Sequence, residues 1–294
     1  MPFPFTMFMV ASFYFENPYR TCRVFSPVVG VNAWADGAVY SCWSPRWSGS
    51  GKMTILMKFC TLVVSVLCLP LHLMHAVGLY EIYKRVFPFC VYRISITYNK
   101  KMHDKKKELF RSLPEFNKPD GQLTLLEIGC GSGTNFEFYP PGCRVICTDP
   151  NPHFQKYLNK SMGENDHLKY DRFMVASGED MRSVEDESVD VVVCTLVLCS
   201  VKDIPQTLRE VHRILRPGGA FFFIEHVVAD TSTWSYFFQH VFQPAWYYFG
   251  DGCEITRETW KHVETAGFSE LKLRHVEAPL LFLIKPHITG YAVK

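Results

Sequence analysis

The chain has almost no charge excess: 31 Lys and Arg stand against 29 Asp and Glu, a formal net charge of +2. A surface without a strong positive field gives no electrostatic footing for nucleic acid. Its eleven cysteines contain no C-x-x-C pair, so the ligand and dithiol spacings of zinc and redox sites are missing and no metal is expected. Cys147 and Cys194 lie inside apolar runs, where a free thiol behaves as a small hydrophobe. An odd, scattered set reads as reduced thiols in a cytosol-facing domain, without a disulfide framework. No feature of the sequence points to a specific protein partner.

Charge is absent altogether from Phe59 to Tyr80, between Lys58 and Glu81. Such a stretch is long enough to span a bilayer core. Pro70, His72 and His75 interrupt it, and Tyr83-Lys84-Arg85-Val86-Phe87-Pro88-Phe89 follows as a basic and aromatic flank of interfacial type. A single span and a bent helix pair dipping into one leaflet both fit; a core helix of a soluble domain is the competing reading. A cleavable signal peptide fits less well, because the apolar run starts far from Met1. Residues 53–98 are therefore expected to hold a membrane anchor, with membrane lipid as its partner and the basic flank on the cytoplasmic side. Residues 1–52 mix prolines, glycines and aromatics without a sustained period and read as an uncertain leader or isoform-specific extension. The basic run Asn99–Arg111 reads either as a helix over anionic headgroups or as a solvated helix leading into the next domain.

Residues 99–294 carry the chemistry. Leu125-Leu126-Glu127-Ile128-Gly129-Cys130-Gly131-Ser132-Gly133 reads as a buried strand entering a glycine turn, and Asp149 closes a second apolar run twenty residues past Gly129. That pairing is how an open α/β sheet holds a nucleoside cofactor: glycines let backbone approach the ligand, and a carboxylate accepts the ribose hydroxyls. The dinucleotide fingerprint requires a glycine where Thr134 stands. Glu127 before the turn is a poor neighbour for a pyrophosphate and a better one for a cationic sulfonium ligand with its ammonium group. The spacing favours S-adenosyl-L-methionine.

Further strands are expected at Phe173–Ala176, Val189–Cys194 and Ala220–Ile224, with a helix over Leu208–Leu215 stopped by Arg216-Pro217-Gly218-Gly219. Gly178 and Glu179, after the third strand, are placed near an adenine edge. Ligands bind outside the carboxyl ends of such strands, which puts Thr195, Cys199 and His226 near the chemistry. Nine aromatic residues crowd Trp234–Phe249, a segment that reads as a lid over an apolar acceptor, a membrane-facing surface or a core helix.

Together, Glu127-x-Gly129-x-Gly131-x-Gly133, Asp149, Ser188-Val189-Asp190-Val191-Val192 and Leu215-Arg216-Pro217-Gly218-Gly219-Ala220 resemble the class I S-adenosylmethionine-dependent methyltransferases. The strings from Asn135 to Val145, from Cys194 to Val201 and from Pro286 to Lys294 resemble more narrowly the endoplasmic-reticulum alkyl thiol S-methyltransferases, the methyltransferase-like 7 family. The likeness runs from about Met53 to Lys294. It implies an α/β, Rossmann-like fold with a mostly parallel seven-stranded sheet and a reversed final hairpin, preceded by a hydrophobic membrane anchor. It also implies location at the endoplasmic reticulum, with lipid droplets as a second site, and methyl transfer to small hydrophobic thiols or hydrogen sulfide. The same cofactor motifs would serve a methyltransferase acting on a lipid, quinone or small amine, or a noncatalytic membrane scaffold.

In-line transfer to sulfur asks mainly for alignment and exclusion of water, since a thiol is already partly ionised and nucleophilic. A neutral histidine could take the thiol proton. His226 is the candidate catalytic residue on that ground, against the reading of a satisfied structural histidine.

Overall fold

A computed structural model describes residues 51–117 and 121–294. The leader expected over residues 1–52 lies outside the described residues, except for its last two, which open the first helix.

Seven strands form one sheet: β1 (Thr124–Ile128), β2 (Arg144–Thr148), β3 (Lys169–Met174), β4 (Val189–Thr195), β5 (Leu215–His226), β6 (Glu270–Glu277) and β7 (Pro286–Val293). Their order is β3-β2-β1-β4-β5-β7-β6. The first five run parallel, while β7 inserts antiparallel between β5 and β6. This is the reversed final hairpin that the family resemblance implied. The strand order turns outward between β1 and β4, which places a ligand crevice at their carboxyl ends.

Side-chain alternation builds the two faces. Leu125, Val191, Val193 and Phe222 pack on one side, and Leu126, Val192, Phe221 and Phe223 on the other. Each fully buried Phe or Leu contributes roughly 1.5–3 kcal/mol of transfer free energy. The second face is covered by α5 (Ile204–Ile214) and α7 (Thr259–Glu264), with Leu208, Val211, Ile214 and Val263 in the core. Helix α5 begins earlier than the sequence suggested, because the Asp203 side chain accepts the Gln206 N–H at 2.8 Å and Pro205 sits in the first turn. It ends at Ile214, and Arg216–Gly219 is carried inside β5, where the β4–β5 register shifts.

The first face is covered by α3 (Tyr80–Phe110), whose Tyr98, Met102, Leu109 and Phe110 enter the core. This helix runs unbroken through the expected boundary at 98/99. It also corrects the picture of the basic run as wholly solvated or interfacial: Lys106 is fully buried. Before α3 come α1 (Gly51–Leu67) and α2 (Leu69–Ala76), and α4 (Gln155–Glu164) follows β2. Among the described residues no single helix is long and apolar enough to cross a membrane, but Met53–Leu67 and Leu69–Ala76, bent by 50°, qualify together by length and composition. Pro70 lies in the first turn of α2, where its missing N–H is tolerated and the preceding helix is interrupted. Phe59 and Leu62 remain 62% and 61% exposed, unlike the side chains of a soluble core helix.

The aromatic segment is α6 (Trp234–Phe249), and it packs against α1. Thr61 Oγ1 donates to the His240 carbonyl, and Tyr80 and Tyr83 hydroxyls donate to the carbonyls of Tyr248 and Phe249. On its inner side, buried Gln239 joins the Ala229 N–H to the Val227 and Leu283 carbonyls. Trp234, Phe242, Tyr247 and Phe249 stay exposed beside the apolar helices.

Candidate active site at the carboxyl ends of the central strands

The glycine turn leaves β1 with φ values of +59° at Gly129, +51° at Gly131 and +74° at Gly133. A Cβ at Gly129 would come within 2.4 Å of Val197 Cγ2, so both conformation and space demand glycine there. Asp149, at the tip of β2, binds this turn directly: one carboxylate oxygen accepts the Gly131 N–H at 3.1 Å and the other accepts the Asn151 N–H at 2.8 Å. Each oxygen keeps a second lone pair, the acceptor set that a ribose diol uses. Burial pushes the Asp149 carboxyl up to about 7, although both backbone N–H groups pull it down.

Glu127 is buried beneath the turn rather than open to it. Asn135 Nδ2 and the Tyr139 hydroxyl each donate to one of its oxygens at 2.7 Å. Burial raises its carboxyl to about 7 despite these bonds and the nearby Lys106 ammonium. Asn135 Nδ2 also reaches Thr195 Oγ1 at 3.2 Å, while Asn135 Oδ1 is buried without a partner. Helix α3 closes over the same turn. Asn99 Nδ2 donates to the Thr134 carbonyl, Asn99 Oδ1 accepts from Lys106, and Asn151 Nδ2 donates to the Lys84 carbonyl.

Gly178 and Glu179 lie in the loop after β3. Gly178 is buried against Thr207 and Ile128, where an added Cβ would meet Thr207 Cγ2 at 2.9 Å. One Glu179 oxygen accepts the Lys202 N–H at 2.6 Å and so ties this loop to the one before α5. The turn, the two spare lone pairs of Asp149 and the unpartnered Asn135 Oδ1 fit a nucleoside bearing an amino-acid tail.

Beside them, at the ends of β4 and β5, sits a second set. His226 Nε2 is 3.0 Å from Cys253 Sγ, and Cys253 Sγ is 3.5 Å from Cys199 Sγ. The Trp246 indole N–H donates to Cys253 Sγ at 3.2 Å. His226 Nδ1, Glu225 Oε2, Tyr98 Oη and His287 Nε2 are all buried with no partner. Their rings and charges are neighbours: His287 lies 6.2 Å from His226 and 6.4 Å from Tyr98 between ring centroids, and the Glu225 charge acts on Tyr98. Burial holds the Glu225 carboxyl above its ordinary range and drives His287 down to about 3. So many unanswered polar atoms in one buried place mark a site for a polar or polarizable ligand.

The sequence brought out Glu127, the glycines, Asp149, Thr195 and His226, and the fold gathers these around one crevice. Asn135, Tyr139, Lys106, Tyr98, Cys253 and His287 were not singled out. Cys199 and Cys253 are separated by a strand, two helices and their loops, so no local spacing announces them.

Comparison with known proteins agrees with this geometry. A family model described as a methyltransferase domain matches residues 126–223. The human thiol S-methyltransferase TMT1A is 60% identical over 72% of this chain and 87% of its own length. The human thiol S-methyltransferase TMT1B is 52% identical over 82% of this chain and all of its own length. Among solved structures, a Thermotoga maritima S-adenosylmethionine-dependent methyltransferase, described as a possible histamine N-methyltransferase, superposes with a TM-score of 0.51. It is 17% identical, covers 73% of this chain and 99% of its own, and shows the fold alone. The chain belongs to the class I S-adenosylmethionine-dependent methyltransferases, in the family of the thiol S-methyltransferases TMT1A and TMT1B.

Proposed function

We propose that this chain methylates the sulfur of small hydrophobic thiols, hydrogen sulfide included, giving thioethers or methanethiol. The observation that carries this reading is the buried Cys199–His226–Cys253 set with its unpartnered polar neighbours, next to the glycine turn. When bound, S-adenosylmethionine supplies an electrophilic methyl: the acceptor sulfur's electron pair forms the new C–S bond while the old one breaks, leaving its pair on the donor sulfur.

The chain's own residues do the rest. Gly129, Gly131 and Gly133 shape the turn that receives the cofactor, and Asp149 accepts its ribose hydroxyls. Glu127 acts through Asn135 and Tyr139, because both its oxygens are taken. Thr195 steadies Asn135 from β4, and Gly178 with Glu179 borders the adenine. His226 is the group that acts on the acceptor sulfur. Its Nε2 is already engaged by Cys253, so the neutral histidine expected from sequence is a ring working with two cysteines. As the S–H bond breaks, its electron pair stays on sulfur and the proton passes to this polar set. Helix α6 walls the site with Trp246 and excludes water.

We further propose that α1, α2 and the start of α3 enter a membrane, with the endoplasmic reticulum as the site, lipid droplets as a second one, and the catalytic domain on the cytoplasmic side. The exposed apolar side chains of these helices support the membrane part. Lys84, Arg85 and the following basic residues support the orientation.

The test is an acceptor panel: full-length protein in membranes, labelled S-adenosylmethionine, an alkyl thiol, hydrogen sulfide, the matched alcohol, the matched amine and a quinol. Thioether formation that collapses in Asp149→Ala is the expected result. Labelling of the quinol or amine in preference to the thiol would overturn the substrate assignment.

A further inference from the structure

We propose that Cys199 Sγ, His226 Nε2 and Cys253 Sγ hold a zinc ion whose fourth position takes the acceptor sulfur. The three ligand atoms lie within 4.8 Å of one another, and all three residues are buried. Tetrahedral zinc, with Zn–S of about 2.3 Å and Zn–N of about 2.0 Å, separates two sulfurs by about 3.7 Å and a sulfur from a nitrogen by about 3.5 Å. The observed 3.5 Å and 3.0 Å are a slightly contracted form of that arrangement. Two thiolates, one imidazole and an open position make a catalytic donor set, whereas a purely structural zinc closes all four places.

The surroundings hold this set in shape. The Trp246 N–H donates to Cys253 Sγ, as an outer-shell donor to a metal thiolate does. The Glu254 N–H donates to the Cys199 carbonyl at 2.9 Å and joins the two cysteine loops. Gln243, on α6, accepts from the Ile255 N–H and donates to the Cys253 carbonyl. His226 is fixed by β-ladder pairing with His287. Simple packing of two apolar cysteines requires none of these donors, and a Cys199–Cys253 disulfide would leave the His226 Nε2 and Trp246 Nε1 facing a poor acceptor.

The inference rests on the thiol reading and deepens it by naming how the acceptor is ionised. With zinc in place, a thiol entering the fourth position releases its proton to solvent rather than to His226 and stays as a metal-held thiolate, its electron pair available for the methyl carbon. No oxidant or reductant is involved. With Nε2 on the metal, His226 Nδ1 keeps its hydrogen, buried without a protein partner.

The test is metal content of the full-length chain, purified from zinc-supplemented cells in detergent under reducing conditions, by inductively coupled plasma mass spectrometry. About one zinc per chain is expected in the wild type, and less than about a fifth of that in Cys199→Ser and in Cys253→Ser. S-adenosylmethionine affinity within about twofold of wild type shows that the variants fold. Cobalt substitution of the wild type should give a sulfur-to-metal charge-transfer band that Cys253→Ser loses. Metal-free wild type, equal metal in wild type and both variants, or a Cys199–Cys253 disulfide in protein that retains activity would each overturn the proposal. Thioether production by metal-free protein leaves the thiol reading standing and removes the zinc. Stoichiometric zinc without thioether production does the reverse.

Discussion

Asp149 links the two halves of the cofactor motif, since the carboxylate that a ribose would use also holds the Gly131 N–H. Its burial makes the site sensitive to pH. Protonation removes the charged acceptor as pH falls through about 7, so S-adenosylmethionine should bind more weakly at pH 6 than at pH 8. In Asp149→Asn the affinity should be lower by about 10- to 100-fold, the worth of a charge-assisted hydrogen bond, and nearly flat with pH. Stability should move the other way. The folded carboxyl titrates above its unfolded value of about 3.9, so ionisation costs the native state above pH 7 and the cost fades as pH falls toward 4. Glu127, also raised to about 7, adds with the same sign. Calorimetry and thermal unfolding over pH 6–8 would check both slopes; loss of affinity in step with loss of stability would mean acid unfolding instead.

At the scale of elements, α3 is the piece that composition describes least well. Its basic residues conceal Lys106, fully buried, with Asn99 Oδ1 as acceptor and Glu127 and Glu137 near enough to offset part of its desolvation. Burial still lowers its ammonium to about 8. Asn99→Ala should destabilise the fold by about 1.5–3 kcal/mol, because the lysine loses its acceptor and cannot reach water. Lys106→Met in the same chain should recover much of that, since removing both members of a buried polar pair costs less than removing one. Urea unfolding of the single and double variants measures the difference, and an additive double variant would show that the contact carries no energy.

The same helix shows what sequence could and could not reveal. Strands β1 and β4 were legible because both their faces are buried and most of their residues are apolar. The glycine turn was legible because it follows β1, and Asp149 because it closes the apolar run of β2. Lys106 was not, because a lysine in a basic run gives no sign of facing a core. The cysteine pair was not, because its members meet only after β5 and α6 have been placed. The Arg216–Gly219 segment was misplaced because a proline and two glycines signal a stop, and a bulge inside a strand uses the same residues.

On the whole-molecule scale, one continuous helix joins the apolar helix pair α1–α2 to the glycine turn. Helix α3 begins among exposed apolar side chains, passes Lys84 and Ser95 beside the ligand crevice, and ends in the core. Helix α6 connects the same regions through Thr61–His240 at one side and Gln239 at the other. If these helices enter a membrane as proposed, an acceptor dissolved there would meet the catalytic domain at their foot. Phe59→Asp with Leu62→Asp places two charges in the apolar helix, at a cost of about 2.5–3.5 kcal/mol each if it lies at the bilayer centre. The doubly substituted chain should leave the membrane fraction in a vesicle flotation assay and keep its S-adenosylmethionine affinity. Flotation equal to wild type would contradict the anchor.

The most direct measurement of the central claim is a one-vessel competition. Full-length protein receives methyl-labelled S-adenosylmethionine and equal amounts of an alkyl thiol, its alcohol and its amine, and products are identified by mass spectrometry. The expected outcome is label on sulfur in large excess over oxygen and nitrogen, and none in Asp149→Ala. Label on nitrogen or oxygen at a comparable or higher level would contradict the assignment of this site to thiols.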